Sequence, residues 1–593
     1  MLLSDQLRAC HDYLSEQCAA LPAPYPAFAL FFSVTDGTRR AHVVFSSGHD
    51  LQTAWNEGVA KLQQWMALQP SEPTWLRVDW VEGARGVSWN RLVEQLAVTK
   101  RGYFRFGIAL DEGFEHAFTE QELNANAMLY GGTQIDHAVV NANNFRVYAR
   151  ARFGPKVTLE LPPSGLAYLL ATRGVFCDQE GIAHPLGGIG MNAGRREVET
   201  LDADTVYDLV DRGASYLARQ VKDDGMFVYG HFPCFDRPIP TYNTLRHASS
   251  LYAMIEAWEL TRDDALKVAI DRSITQLTTE LIRVRALPDG REAAFLIDTG
   301  DEIKLGGNAV CLLALVKYCE VMDTRRWVPL LEQLAQGILW MQDPVSGGFN
   351  HVFHAKDLSL KQATRIIYYD GEAAFGLMRL YGLTRNPRWL AAVERAFGHF
   401  IRSEHWRAHD HWLSYCVNEL TRWRPEEKYF RFGLQNVIDH LDFVLERKTT
   451  FPTLLELMLA ANQMVERIKE LPAMRPLLAE LDLPKFEQAL EHRAHYLLNG
   501  FFWPEMAMYF KKPSAIVDSF FIRHQSFRVR IDDVEHYLSG FVGYHKLLQS
   551  RAAATLPRAI TQLAESTDAD FAEAPPEVAV KPRTKRQRKA LAA

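Results

Sequence analysis

The sequence predicts a mainly α protein, an (α/α)6 toroid preceded by a small α/β domain. Three observations carry that expectation. From about Asp202 onward amphipathic helical periodicity takes over and strand-like alternation almost ceases. The joints between helices repeat one design. Long loops rich in glycine, proline and aromatic residues separate the helical pairs.

The first part, 1–195, is mixed. PAFALFFSVT and RAHVVFSS read as strands around a DG turn, DLQTAWNEGVAKLQQWM has helical periodicity, and TWLRVDWV and YFRFGIAL return to strand. ANNFRVYARARFG and RGVFCDQEGIAHPLGGIGMN read as further strands and a glycine-bearing connection. These elements define the α/β domain with its connecting segment.

In the second part, 202–550, AWELTRDDALKVAIDR, YCEVMDTRRWVPLLEQ, LYGLTRNPRWLAAVER and VNELTRWRPEEKYFRF each give an apolar helix, a short Thr-Arg turn and a new helix opening on charge. Tight turns make the paired helices antiparallel neighbours. About twelve helices follow between Thr205 and Ser550, one of each pair more apolar than the other. Six such hairpins close a ring, apolar helices inside, with the inner-helix N-termini gathered on the long-loop face. Loops can vary there without disturbing packing, so a site belongs on that face. The stretch 551–593 is rich in Ala, Pro and charge without periodicity and reads as a disordered basic tail.

A chain of 593 residues exceeds one ordinary core. Its net charge of -6 and pI near 6.4 give no general reason for a nucleic-acid partner. No apolar run approaches the ~18 residues of a membrane span, and the N-terminus lacks a signal-peptide pattern. Seven scattered cysteines without CxxC spacing point to a reducing cytoplasm and to no zinc site; neither metal nor cofactor is expected.

The six inner helices are expected to open at PTYNTLRHASSLYAM, GDEIKLGGNAVCLLAL, YYDGEAAFGLMRL, AHDHWLSYCVNEL, KTTFPTLLELMLA and RIDDVEHYLSGFVGY. Asn243, Asp301, Asp370, Asp410, Thr450 and Asp532 stand where N-caps stand, and Asp532 with Glu535 fits a capping box. Caps do not account for the polar surplus beside them: Tyr242, Arg246 and His247, Glu302 and Lys304, Glu372, His411 and Trp412, Asp533 and His536. Polar groups at the mouths of apolar helices need partners. Aromatic residues in the same loops, Tyr368, Tyr369 and Trp406 among them, suit the wall of a sugar site.

The stretches NTLRHASSLYAMIEAWELTRD, LGGNAVCLLALVKYCEVMDTRRW and YYDGEAAFGLMRLYGLTRNPRWLAAVERA resemble the six-hairpin glycosidase-like superfamily, near its glucuronyl C5-epimerase and N-acylglucosamine epimerase branches. The resemblance spans about 202–550 and is one of architecture and helix rhythm. It implies hydrolase, lyase or epimerase activity on a sugar or polysaccharide, with the site at Tyr242, Arg246, His247, Asp370, Glu372, Asp410, His411, Asp533 and His536. Terpene and lanthionine cyclases share the toroid, but the chain has neither a DxDD-like motif nor a Cys/Cys/His zinc set.

The expected function is thus a cytoplasmic carbohydrate-active enzyme of envelope glycan metabolism working by carboxylate acid–base chemistry. Asp370 or Glu372 pairs with Asp533 as acid and base, and His536 shares their catalytic role. Tyr242, Arg246, His247, Tyr369, Asp410, His411 and Trp412 are expected to bind substrate, Arg246 neutralising an anionic sugar. The alternative is a non-catalytic glycan- or protein-binding scaffold in polysaccharide assembly, with the N-terminal domain as the docking module.

Overall fold

The structure is a computed structural model that describes residues 3–562 apart from 70, 71, 160, 162–164 and 189, and the side chains among them through 554. The chain divides into two compact units, Met1–Lys546 and Leu547–Ala593. The described part of the second unit, through Gln562, is helical. Residues 551–562, read from sequence as the start of a disordered tail, continue the last helix, and the rest of that expected tail, from 563 on, lies outside the described residues.

The N-terminal region is built on strands β1 (Phe28–Thr35), β2 (His42–Gly48), β3 (Trp75–Ser88), β4 (Gly107–Ala109), β5 (Ala117–Phe118), β6 (Leu166–Cys177) and β7 (Ala183–Leu186). They pair in the order β2-β1-β3-β6-β4-β5, with β7 also on β6, and every pairing is antiparallel. Helices α1 (Leu3–Gln17), α2 (Leu51–Met66), α3 (Trp89–Ala97), α4 (Glu120–Ala125) and α5 (Ala142–Phe153) accompany the sheet.

Helix α5 corrects the strand reading of ANNFRVYARARFG. Its apolar residues alternate from Phe145 to Phe153, which mimics a strand. The buried set Phe145, Tyr148 and Ala149 instead has i, i+3, i+4 spacing, and Asn141 caps the helix by accepting from the Asn144 N–H.

Twelve helices make the toroid. The outer ones are α6 (Ala203–Gln220), α8 (Asp264–Gln276), α10 (Val328–Met341), α12 (Pro387–Arg402), α14 (Glu427–Ile438) and α17 (Leu483–Leu497). The inner ones are α7 (Thr244–Thr261), α9 (Leu305–Val321), α11 (Tyr368–Thr384), α13 (His411–Trp423), α16 (Thr453–Glu470) and α19 (Ile531–Gln562). Short helices α15 (Leu441–Glu446) and α18 (Pro504–Ala507) lie in connections.

Inner helices pack in sequence from α7 through α9, α11 and α13 to α16. Gly540 of α19 rests on Leu455 and Glu456 of α16, and Ser539 donates to Glu256 of α7 at 2.9 Å, so the ring closes. The division of labour follows from composition: Leu305 to Val316 of α9 are all buried, whereas α12 buries one face, Trp389, Val393, Ala396 and Phe400 among it.

Two of the four Thr-Arg joints are a C-cap running into an N-cap; at the second, α9 ends on Met322 and α10 starts on Trp327 without a side-chain cap. Arg262 and Arg385 adopt left-handed φ values of 56° and 59°, ending α7 and α11. Asp263 and Asn386 then accept N–H bonds to start α8 and α12. The fourth pair, Thr421-Arg422, lies inside α13, and that hairpin turns after Trp423.

The long loops hold more strand than the sequence suggested. Ile282–Ala286, Glu292–Asp298, Glu302–Lys304, Val352–His354 and Leu360–Gln362 form a five-stranded antiparallel sheet on the rim. Its first hairpin turns at Asp289-Gly290, where Gly290 takes φ 83°.

Candidate active site

All six inner helices open from long loops, and two start on the caps expected. Asn243 accepts from the Arg246 N–H, and Asp410 accepts from Trp412 and Leu413 N–H. Four starts differ. Lys304, Ile367 and Pro452 occupy the cap positions of α9, α11 and α16 without a side-chain cap, and Asp532 lies within the first turn of α19. Asp370, Thr450 and Asp532 are thereby free for other contacts.

At the centre stands His536. Its Nδ1 lies 2.8 Å from Glu456 Oε2 and its Nε2 3.4 Å from Glu535 Oε2. Burial pulls this imidazole down, but Glu535 and Glu456 outweigh it and hold the pKa well above the ordinary value, so the ring is cationic. The His411 ring faces it at 5.2 Å and meets Tyr368 at 5.6 Å. His411 Nδ1 is 3.2 Å from Asp410 Oδ1, and its buried Nε2 has no hydrogen-bond partner. Trp412 packs beside His536 at 6.2 Å.

Glu372 rises into the same space from α11. It is 4% exposed and its Oε2 is unpartnered. Burial, then the charge of Asp410, then Asp532 and Asp370, push its carboxyl up to about 8, against an opposing pull from His536. The carboxyl is therefore protonated at neutral pH. Gly306 of α9 makes room for it, because a Cβ there would collide with Glu372 Oε2 and the Tyr369 ring. Glu535 is fully buried and neither of its oxygens has a hydrogen-bond partner.

The remaining expected residues divide. Arg246 pairs with Asp532 at 3.0 Å and donates to the Tyr229 hydroxyl, staying at the rim with 28% of its side chain exposed. Asp533 is held by Arg528 at 3.1 Å and Arg530 at 2.8 Å, so both oxygens are engaged. Asp370 accepts from His351 Nε2 at 3.1 Å, while His351 Nδ1 accepts the Arg365 N–H, which orients that imidazole as neutral donor. Tyr369 lies toward α9, between His351 and Gly306, and burial raises it to about 12.

His247 corrects the expectation that it lines the funnel. It is fully buried toward outer helix α8, with Nδ1 2.8 Å from the Tyr242 hydroxyl and Nε2 3.0 Å from Ser273 Oγ. Burial holds it near 4. Tyr242 accepts the Phe227 N–H and is committed to that same network. The Asp532–Glu535 capping box is also absent, since Asp532 binds arginines. Phe353, an aromatic residue of the same long loops, packs against Trp340 in the core, with ring centroids 4.5 Å apart and planes tilted by 47°.

Sequence reading missed Glu456, His351 and the burial of Glu535. A signal existed in LLELML and DDVEHYL, where one carboxylate interrupts an otherwise apolar inner face. Donor atoms of His411, Glu456 and His536 lie within 4.8 Å of one another, as do those of Asp532, Glu535 and His536. Either set has the ligand types to hold a divalent cation.

No protein-family model matches the chain, and no curated protein does. Among solved structures it is similar to a D-mannose isomerase at 11% identity, TM-score 0.44, over 59% of this chain and 99% of that one. It is similar to cellobiose 2-epimerase from Bacillus thermoamylovorans B4167 at 11% identity, TM-score 0.43, over 58% and 99%. An unsaturated glucuronyl hydrolase specific for heparin matches at 10% identity, TM-score 0.42, over 58% and 98%. Likeness this distant assigns neither activity nor residues; the toroid stands on the helix arrangement above.

Proposed function

We propose that the toroid mouth is the active site of a carbohydrate-active enzyme that moves protons at a sugar, as an epimerase or isomerase does. Glu372 supports this reading most directly: a buried carboxylic acid, neutral at pH 7, stands among ionised groups with one oxygen free to donate. His411, whose Nε2 is free, is the base that takes a proton from a carbon beside the sugar carbonyl. Glu372 protonates the carbonyl oxygen as the enediol forms. Cationic His536, across 5.2 Å, stabilises the developing negative charge and can return a proton to the opposite face.

Sugar chemistry is favoured by the rim, where Arg246, Asp532 and half-exposed Tyr368 supply donors, acceptors and an aromatic face. Two imidazoles flanking one position favour proton exchange at carbon, and Glu535, the carboxyl that could join Glu372 as a hydrolytic pair, lies against His536 Nε2 at 3.4 Å. Asp370 and Asp533 are both already engaged.

The test is incubation of aldoses, ketoses and uronates in D2O, with mass spectrometry for deuterium at carbon. Incorporation into at least one sugar, lost about 100-fold or more in Glu372→Gln and His411→Asn with folding unchanged, supports the reading. Glycan binding without exchange in the wild type would instead support the scaffold.

A further inference from the structure

A second polar site lies in the N-terminal region, away from Glu372 and His536. A cavity of about 270 Å3 is lined by Arg39, Arg40, His42, Trp65, Tyr148 and Arg152 among others. A neighbouring cavity of about 260 Å3 shares Arg40, Tyr148 and Ala151 with it and adds Arg237 and Lys511. The two therefore adjoin across the Arg40–Tyr148 contact, where the guanidinium sits 5.3 Å from the ring centroid.

Five cations line this joint space, and Asp36 is the one carboxylate among the lining residues. Asp36 is itself engaged by the backbone and hydroxyl of Thr38. Glu122, behind the cavity, is taken by the Thr119 N–H, the Tyr148 hydroxyl and Arg152 Nε. Arg40 spends its Nε on the Tyr509 carbonyl, and among the described residues neither it nor Arg39 has a carboxylate within ion-pair distance. The Arg152 side chain is 8% exposed, and its Nη2 is buried without a hydrogen-bond partner.

Half-buried Arg40 without a carboxylate partner and the unpartnered Arg152 Nη2 are costly to leave so, and an anion would supply the missing acceptors. One wall of the same cavity is flat. The His42 and Trp65 rings stack at 4.3 Å with 3° between their planes, and the indole is only half-buried. Burial, with Arg152 nearby, lowers His42 to about 4, so the stack is uncharged at neutral pH. Taken together, the two cavities fall within the ~300–1,000 Å3 usual for small-molecule sites.

We propose that this joint cavity binds a phosphorylated ligand carrying a planar ring, a nucleoside diphosphate by class, with phosphates on Arg39, Arg40 and Arg152 and the ring against Trp65. Arginine forks match phosphate oxygens, and an indole face suits a base. The site is independent of the proton-transfer reading, so either can fail alone.

Calorimetric titration of the full chain with UDP, ADP and inorganic phosphate, at low and high salt, tests it. The nucleotides should bind at least about 10-fold more tightly than phosphate, and salt should weaken them. Arg39→Glu and Trp65→Ala, both at partly exposed positions, should each weaken UDP or ADP about 10-fold with the melting temperature unchanged, and Glu372→Gln should leave binding intact. Failure of both nucleotides to bind, affinity equal to that of phosphate, or binding indifferent to Arg39→Glu and Trp65→Ala would overturn the proposal.

Discussion

Glu372 is the residue on which chemistry and stability meet. Its carboxyl sits at about 8 in the fold against an ordinary 4.5. Between those values the folded chain keeps a proton that the unfolded chain has lost, so stability falls as pH rises, by up to about 1.4 kcal/mol per pH unit. Glutamine cannot ionise. Glu372→Gln should therefore melt close to wild type near about pH 5 and above it near about pH 9; parallel melting curves at both would mean that Glu372 is already ionised. As the proton donor, Glu372 also sets an alkaline limb with its midpoint near about pH 8 in the rate profile, which the Gln variant should lack. The sequence placed Glu372 and His536 correctly at helix mouths because each breaks an apolar run. It could not place His247, since whether a first-turn side chain points to the lumen or to the outer helix depends on helix rotation. Nor could it disclose that Arg528 and Arg530 converge on Asp533.

Between elements, close approach decides what the site can hold. Gly306 lets α9 pass against Glu372, so Gly306→Ala should displace that carboxyl and lower turnover by about 10-fold or more while the toroid still folds. Unchanged turnover would show that Glu372 had not been pressed. At the opposite end of α11, Arg385 holds a left-handed φ of 59° and its guanidinium lies 3.8 Å from the Trp423 ring centroid. Arg385→Ala keeps the backbone strain and loses the stack, whereas Arg385→Gly relieves the strain. The alanine variant should thus be less stable than the glycine variant by about 1 kcal/mol in denaturant titrations. The hairpin repeat was legible because the Thr-Arg-Asp/Asn joint is local chemistry. The rim sheet was not, because short strands in long loops carry little periodicity and are defined by partners as distant as Glu302 and His354.

At the scale of the molecule, the N-terminal sheet and the toroid share a buried polar seam. Arg77 binds Asp79 through both Nε and Nη2 and donates from Nη1 to the carbonyls of Gly194 and Glu505. The Glu505 carboxylate in turn holds Arg196 at 2.8 and 3.0 Å, and despite burial these contacts lower it to about 2. Its contribution is complete above about pH 4.5 and is lost as pH falls toward 2. Glu505→Gln should cost about 3–5 kcal/mol at neutral pH, because it leaves a buried guanidinium short of its counter-charge, and should flatten the acid limb of the melting-temperature profile. A neutral-pH melting temperature equal to wild type would mean that the seam contributes nothing net. A chain beginning at 202 should fail to stay monomeric in size-exclusion chromatography, since Met508 and Tyr509 would lose the N-terminal region that covers them. By itself the sequence determined the six-hairpin ring, the face that carries the helix mouths and the surplus of polar groups there, because hydrophobic periodicity and turn chemistry are properties of neighbours along the chain. Only the tertiary structure decided which of those groups stay free. That choice rests on desolvation and on partners brought from other hairpins, which fixed Asp370 and Asp533 in bonded networks and left Glu372, His411 and His536 facing one another.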